Sequence, residues 1–320
     1  MHDTTILVTG GAGYVGSQAC KALAAAGFRP VVYDDLSTGH RWAVKWGPLE
    51  IGDLRDGARL IEVLSRHRPL AVLHFAAQPL VGRSVEEPEL TWSINRDGTA
   101  ALLAALAAHG NPPLVFSSTC SLYGERALEA LDERLTPAPA NPYAASKRAA
   151  EELLEAAPLS SVRLRYFNAA GADPEGDLGE LHEPEPHLIP NVLLAARGGP
   201  PVTVHGRDYP TPDGTCVRDY VHVADLAAAH VLALRHLLGG GPSLTLNLGS
   251  GQGASVTEVI AAAERATGRP VPHRFGPRRA GDPSRLVADI ALAQARLGWQ
   301  PRRSDLDRIL ADAWAWTTRR

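Results

Sequence analysis

Residues 6–9, Ile6-Leu7-Val8-Thr9, are a short apolar run that predicts a buried strand. Gly10, Gly11, Gly13 and Gly16 then punctuate a tight turn, after which Val15, Ala19, Ala22, Leu23 and Ala26 recur at helical spacing. Apolar runs at 31–33, 49–52, 70–75, 114–117 and 162–165 predict further strands. The run at 70–75 is unbroken, the pattern of a strand covered on both faces of a parallel sheet. Helical patterns lie between the strands: Leu60, Ile61 and Leu64 face inward on one, and a long alanine- and leucine-rich helix at 90–109 carries Asn95 and Thr99. Alternation of this kind predicts an α/β fold, a doubly wound parallel sheet with right-handed crossovers and helices on both faces.

Beyond Asn168 the texture changes. Residues 171–190 are rich in Gly, Pro, Asp and Glu and read as a long loop, and 200–201 and 209–214 are further irregular stretches. Helices are expected at 256–267, 291–297 and 306–317. A helix at 223–238 and a strand at 244–248 are expected to return to the sheet. The organisation expected is therefore a first domain of 1–168 rejoined by 215–250, and a smaller mixed α/β domain over 169–320.

A strand that feeds a glycine turn into a helix N-terminus makes a site for an anion, because the first helical N–H groups lack internal partners and the dipole favours negative charge. Gly11-x-Gly13-x-x-Gly16 matches the dinucleotide fingerprint of Rossmann folds, and Gly10-x-x-Gly13-x-x-Gly16 gives the wider spacing of short-chain-type dehydrogenases. The strand at 31–33 ends in Asp34, about where a carboxylate meets the adenosine ribose. A carboxylate there accepts from a free 2′-hydroxyl and repels a 2′-phosphate, which predicts NAD rather than NADP.

Ser117-Ser118-Thr119 follow the fifth strand and fall at the carboxyl edge of the sheet, where open α/β folds bind ligands. Asn141-Pro142 suit a helix start, and Tyr143 and Lys147 then share one helix face at i and i+4. A phenol is a poor base at neutral pH, and about 4 kcal/mol is needed to bring it there. The lysine ammonium and an oxidised nicotinamide would both favour the phenolate. Thr119 would hydrogen-bond the same substrate hydroxyl and orient it for proton removal.

Composition removes other classes. Apolar content of 45% and charged content of 21% suit a globular enzyme, and a net charge of −3 gives no sign of nucleic-acid binding. The basic residues are nearly all arginine, with lysine only at Lys21, Lys45 and Lys147, so a lysine inside a motif stands out. Cys20, Cys120 and Cys216 are odd in number and widely spaced, which points to reduced thiols of a cytoplasmic protein. The start of the chain leads directly into a strand without a signal-peptide pattern, and no apolar run reaches the ~20 residues of a membrane span. The twelve histidines show no His-Glu-x-x-His or comparable ligand spacing, so no metal is expected.

With these residues in place the chain resembles the extended short-chain dehydrogenase/reductases and, among them, the UDP-glucose 4-epimerase family, over essentially its full length. The matching stretches are residues 8–17 (VTGGAGYVGS), 74–77, 117–118, 123–124, 143–147 and 165–168. The most specific is 208–226 (DYPTPDGTCVRDYVHVADL), joined by 247–250 and 277–282. The resemblance implies an isomerase that interconverts UDP-glucose and UDP-galactose by transient oxidation at C4 with bound NAD, and a homodimer. It implies Tyr143 as base and acid, Lys147 as its tuner and Thr119 as the hydroxyl partner. Cofactor contacts would come from Gly10, Gly13, Tyr14, Val15, Gly16, Asp34, Asp35, Leu36, Asp53, Leu54, Phe75, Ala76, Ala77, Asn95, Tyr143, Lys147 and Phe167. The nucleotide-sugar would be held by Thr119, Asn168, His187, Leu188, Thr203, Val204, His205, Arg218, Arg279 and Asp282. Arg218 and Arg279 have the planar fork that pairs with a diphosphate, and Asp282 could bind a ribose hydroxyl.

Some positions depart from the family pattern. Thr119 stands where serine is common, Pro79 where some members have lysine, and His187 and His205 where others have asparagine and phenylalanine. Leu286 occupies the position that gates N-acetylated sugars, so UDP-N-acetylhexosamines stay open as substrates, and an epimerase acting on UDP-pentose or UDP-hexuronate is a separate alternative. A 4,6-dehydratase would need an Asp-Glu pair after the threonine, where this chain has Cys120-Ser121. A non-catalytic NAD-binding sensor would have no need of Tyr143, Lys147 and Thr119 together.

Overall fold

The computed structural model describes residues 4–126, 130–279 and 282–319. In chain order its elements are β1 (Thr5–Thr9), α1 (Tyr14–Ala25), β2 (Arg29–Asp34), β3 (Leu49–Ile51), α2 (Gly57–His67), β4 (Ala71–His74), α3 (Val81–Glu86), α4 (Pro88–Trp92), α5 (Gly98–Ala107), β5 (Leu114–Thr119), α6 (Pro142–Ala156) and β6 (Ser161–Tyr166). They continue as β7 (Asn168–Ala170), α7 (Leu188–Ala196), β8 (Val202–His205), β9 (Val217–His222), α8 (Val223–Leu238), β10 (Leu244–Leu248), β11 (Gly253–Ser255), α9 (Val256–Thr267), β12 (His273–Gly276), β13 (Arg285–Leu286), α10 (Ala291–Leu297) and α11 (Leu306–Thr318).

A seven-stranded sheet runs β10-β6-β5-β4-β1-β2-β3. The pairings from β3 across to β5 are parallel. The order reverses at β1, which lies between β2 and β4, and the carboxyl ends of such a pair open the crevice that ligands use. This is the Rossmann-type α/β architecture expected from the alternating pattern.

The chain divides into two compact units. The first comprises Met1–Leu122, Thr136–Arg165 and Ala227–Leu246. All five residues of β1 and all four of β4 are buried, which is why Ile6-Leu7-Val8 and Ala71-Val72-Leu73 are apolar without alternation. On one side Leu7, Val31, Val72 and Phe116 of the strands pack with α2, α5 and α6 through residues such as Leu60, Leu102 and Leu154. Each such aliphatic side chain contributes roughly 1.5–3 kcal/mol on burial.

Two helical expectations change in this unit. Ile61 is 44% exposed, and Val63 takes its place beside Leu60 and Leu64. At 100° per residue, positions 60, 63 and 64 share a face and 61 turns away from it. The helix read across 90–109 is also not uniform. It is α-helical at α4 and α5, but Ser93–Asp97 between them winds as a π-helical turn, and Asn95 sits inside it.

The second unit comprises Tyr123–Leu135, Tyr166–Leu226 and Asn247–Arg320. It holds a four-stranded sheet in which β9 pairs with β11, β13 and β7, and a separate β8–β12 pair. Its core joins α7, α9 and α11 through Val192, Leu193, Val259, Ile260, Ile309 and Leu310. Ser255 starts α9 with a capping box, its hydroxyl accepting from Glu258 N while the Glu258 carboxylate accepts from Ser255 N. The loop expected at 171–190 is interrupted: Ala172 bridges Gly179, and α7 begins at Leu188. Strands β8 and β9 were not legible as strands in the sequence. No described helix is long and apolar enough to cross a membrane.

Candidate active site

The glycine turn lies at the carboxyl end of β1 in the first unit. Gly10 has φ 71°, and a Cβ there would stand 2.4 Å from Ala76 N just past β4. A Cβ on Gly16 would stand 2.2 Å from Gly10 O. Both glycines are therefore required for the close approach of turn, helix and neighbouring strand. Gly13 is the N-cap of α1, no side chain caps the helix, and its first turn has no acidic residue. An unshielded positive helix end over a glycine cradle fits the diphosphate of NAD.

Asp34 closes β2 and is 8% exposed. Its Oδ2 accepts from Ala12 N at 2.9 Å and its Oδ1 from Leu36 N at 2.9 Å. Burial raises the carboxyl above its ordinary range, while these two backbone N–H groups work the other way. A carboxylate has about four acceptor sites, so two remain for a ribose hydroxyl. Asp34 thus ties the glycine turn to the end of β2 and still has acceptor capacity for a ligand. Asp35 is exposed and accepts from Ser37, and Leu36 has φ 61°. Asp53 forms an ion pair with Arg55, which holds its carboxyl below the usual range, and Leu54 is buried. Phe75 packs against the His230 ring, centroid to centroid 4.6 Å.

Asn95 is 2% exposed, and its amide is engaged within the protein. Its Oδ1 accepts from Gln78 N at 2.7 Å, and its Nδ2 donates to Gln78 O at 3.2 Å and to Ser146 Oγ at 2.9 Å. The π turn therefore clamps the segment after β4 to the helix that carries Tyr143 and Lys147. Gln78 and Ser146 were not singled out in the sequence, although Ser146 lies within the 143–147 stretch and Gln78 directly follows 74–77.

On α6 the Asn141 side chain caps the helix by accepting from Ala144 N at 2.9 Å, and Pro142 fills the first turn. Thr119 at the end of β5 is the neighbour that favours the ionised Tyr143 phenol. Thr119 Oγ1 donates to Ser121 Oγ at 3.2 Å. Burial pushes the Tyr143 phenol up to about 12, with Thr119 opposing it. The lowered phenol expected from the sequence is thus not produced by the groups of this chain alone: desolvation outweighs them. Lys147 is 2% exposed, and its Nζ lies 4.2 Å from the Phe116 ring centroid. Burial brings the ammonium down to about 7, and Glu151 opposes the shift.

Glu151 continues the same face of α6 and was missed, although its i+4 spacing from Lys147 was a usable signal. Arg165 Nε and Nη2 donate to its two oxygens at 2.9 and 2.6 Å, and Ser118 Oγ donates to Oε1 at 2.6 Å. Burial would raise this carboxyl, and Arg165 and Ser118 outweigh it to leave it below its ordinary value.

The other expected positions, Phe167 and the nucleotide-sugar set apart from Thr119, belong to the second unit. Phe167 N donates to Leu248 O at 3.0 Å, and Asn168 Nδ2 donates to Asp219 O at 2.9 Å. His187 is the N-cap residue of α7 and Leu188 its first residue. Thr203, Val204 and His205 lie on β8, and the Val204 side chain is buried in the core. Arg218 on β9 forms an ion pair with Asp282, and Asp282 N donates to Arg279 O at 3.3 Å. Ala280 and Gly281 of the 277–282 stretch lie outside the described residues.

The chain is similar to known proteins in both sequence and fold. The UDP-glucose 4-epimerase of Rhizobium meliloti (strain 1021) is 51% identical, over 100% of this chain and 99% of its own. A solved UDP-glucose 4-epimerase from Brucella ovis, in complex with NAD, superposes with a TM-score of 0.95 at 48% identity, covering 98% of both chains. The enzyme from Stenotrophomonas maltophila, solved with bound NAD and formylated UDP-arabinopyranose, gives a TM-score of 0.95 at 41% identity, covering 99% of this chain and 98% of its own. Residues 6–249 match the description of one family as a whole, and the chain belongs to it: the NAD dependent epimerase/dehydratase family.

Proposed function

We propose that this chain is an NAD-dependent isomerase that interconverts UDP-galactose and UDP-glucose by inverting C4 of the hexose. The observation that carries the reading is that Tyr143 and Lys147 share one face of α6, with Thr119 at the carboxyl end of β5 as the neighbour that favours the ionised phenol. Full-length similarity to UDP-glucose 4-epimerases supports it.

In this reading NAD is held by the glycine turn, Asp34 and neighbouring residues, and supplies reversible oxidation at C4. Tyr143 removes the proton from the 4-hydroxyl, and Thr119 orients that hydroxyl by hydrogen bonding. Lys147 supplies positive charge near the phenol, and the positive nicotinamide is the second charge that offsets the effect of burial on Tyr143. Arg218, Arg279 and Asp282 hold the nucleotide while the 4-keto sugar turns over, and Tyr143 then returns the proton after reduction from the opposite face. The first unit, with the glycine turn and Asp34, serves NAD, and the second, with Arg218 and Asp282, serves the UDP-sugar. A homodimer in the cytoplasm belongs to the same reading and is checked by light scattering on the purified protein.

The direct test is conversion of UDP-galactose to UDP-glucose without added NAD, repeated with the N-acetylated pair because of Leu286. Turnover of the hexose pair supports the proposal. Absence of turnover by protein shown to contain NAD would overturn it.

A further inference from the structure

Glu180, His182, Glu185 and His187 converge in the loop before α7, outside the catalytic residues of the first unit. Each offers one ligand atom, and these atoms all lie within 4.8 Å of one another. His182 Nδ1 is 3.4 Å from Glu180 Oε1 and 3.5 Å from Glu185 Oε2. His187 Nδ1 is 3.2 Å from Glu185 Oε1 and 2.6 Å from Glu180 Oε1. A tetrahedral ion with nitrogen and oxygen ligands at 2.0–2.1 Å has ligand–ligand edges of about 3.3–3.4 Å. The His182–Glu180, His182–Glu185 and His187–Glu185 separations are close to that length, the two histidines facing different oxygens of Glu185. The fourth is an imidazole–carboxylate ion pair that an ion would open.

A second observation points the same way. His182 Nδ1 is shielded from solvent and makes no hydrogen bond, its nearest partners being the two carboxylates at the ion-pair distances of 3.4 and 3.5 Å. A ring nitrogen spaced in this way from two carboxylate oxygens leaves room for a cation that all three could ligate. The frame around the four residues is also fixed. Asn191 Nδ2 donates to Glu185 O at 3.0 Å and to His187 O at 2.8 Å, and Trp316 Nε1 donates to Glu180 O at 3.3 Å. The Glu180 side chain is 7% exposed and that of His187 50%, so the cluster is closed at one end and open to entry at the other.

We propose that Glu180, His182, Glu185 and His187 bind one zinc ion. Two imidazole nitrogens and two carboxylate oxygens suit a borderline dication, whereas magnesium prefers an octahedral, oxygen-rich and largely hydrated shell. The two carboxylates balance the charge of the ion. Bound there, it ties the proline-containing loop to the start of α7 and leaves His187 Nε2 outside the metal shell.

The test is isothermal titration of the chelator-treated full chain with zinc chloride and with magnesium chloride, on the natural protein and on His182→Gln. One zinc per chain, no saturable magnesium binding, and at least tenfold weaker zinc binding in His182→Gln are expected. No stoichiometric zinc in the natural protein, or equal affinity in the variant, would overturn the proposal. Where circular dichroism shows the variant unfolded, X-ray absorption at the zinc edge of the natural protein decides. Two imidazoles with oxygen ligands support the site, and a sulfur ligand or fewer than two imidazoles rejects it.

Discussion

Lys147 and Glu151 stand one helical turn apart on the buried face of α6, and the carboxylate works against the burial that lowers the ammonium. Arg165 and Ser118 in turn hold that carboxylate. The charge at Lys147 therefore depends on Ser118 of β5 and Arg165 of β6, neither of which is among the expected ligand-binding positions.

Glu151→Gln is expected to lower the Lys147 pKa further from about 7, so the alkaline fall of kcat moves to lower pH. The variant also leaves Arg165 buried without its carboxylate, a loss of about 3–5 kcal/mol. The folded Glu151 carboxyl lies below its ordinary value, so its stabilisation is full above the ordinary carboxylate range and is lost as pH falls through the folded pKa. That acid-side component should vanish from urea unfolding curves of the variant. An unmoved alkaline limb would count against the coupling.

Tyr143→Phe should lose on the order of 10²–10⁴ in kcat while UDP-galactose still binds. Thr119→Val, which keeps the shape and removes the hydroxyl that favours the ionised Tyr143, should lose less, about 10-fold to 100-fold. Steady-state rates with binding measured by calorimetry separate the two effects. Near-normal turnover of Tyr143→Phe would remove this phenol from the mechanism.

Asp34→Ala should release NAD during gel filtration, because it removes the ribose acceptor. It also strands Ala12 N and Leu36 N, a cost of about 1–3 kcal/mol for each group left buried without a partner. Absorbance of the protein peak and the thermal midpoint report these two losses. Retained NAD would show that the carboxylate serves the turn alone.

Gly10→Ala puts a methyl group against Ala76 N in a left-handed backbone conformation. About 1–2 kcal/mol comes from the conformation, and the clash adds to it. Reduced NAD content and a lower urea midpoint are expected, and unchanged values for both would show that the two strands separate easily.

The first unit was the more legible one. Strands buried on both faces, such as β1 and β4, give unbroken apolar runs that no amphipathic helix of that length imitates. The short strands of the second unit lack that signal: β12 is largely exposed, and β8 alternates over only four residues. Within the site, identities at fixed spacing were readable, as at Tyr143 and Lys147. The Tyr143 environment was not, because desolvation depends on what covers the side chain and not on its sequence neighbours. The Glu180 to His187 cluster escaped for a related reason: its spacing follows neither a helix nor a recognised ligand pattern, and only the folded loop gathers it.

The wide turn at Ser93–Asp97 makes residue number itself a constraint on this helix. Removing a single residue there would restore ordinary winding while α4 and α5 keep their phase, because a π turn takes up about one residue more than an α turn. What the deletion would disturb is local, the bonds of Asn95 to Gln78 and Ser146. The extra residue thus serves the position of Asn95 and not the alignment of the helices on either side.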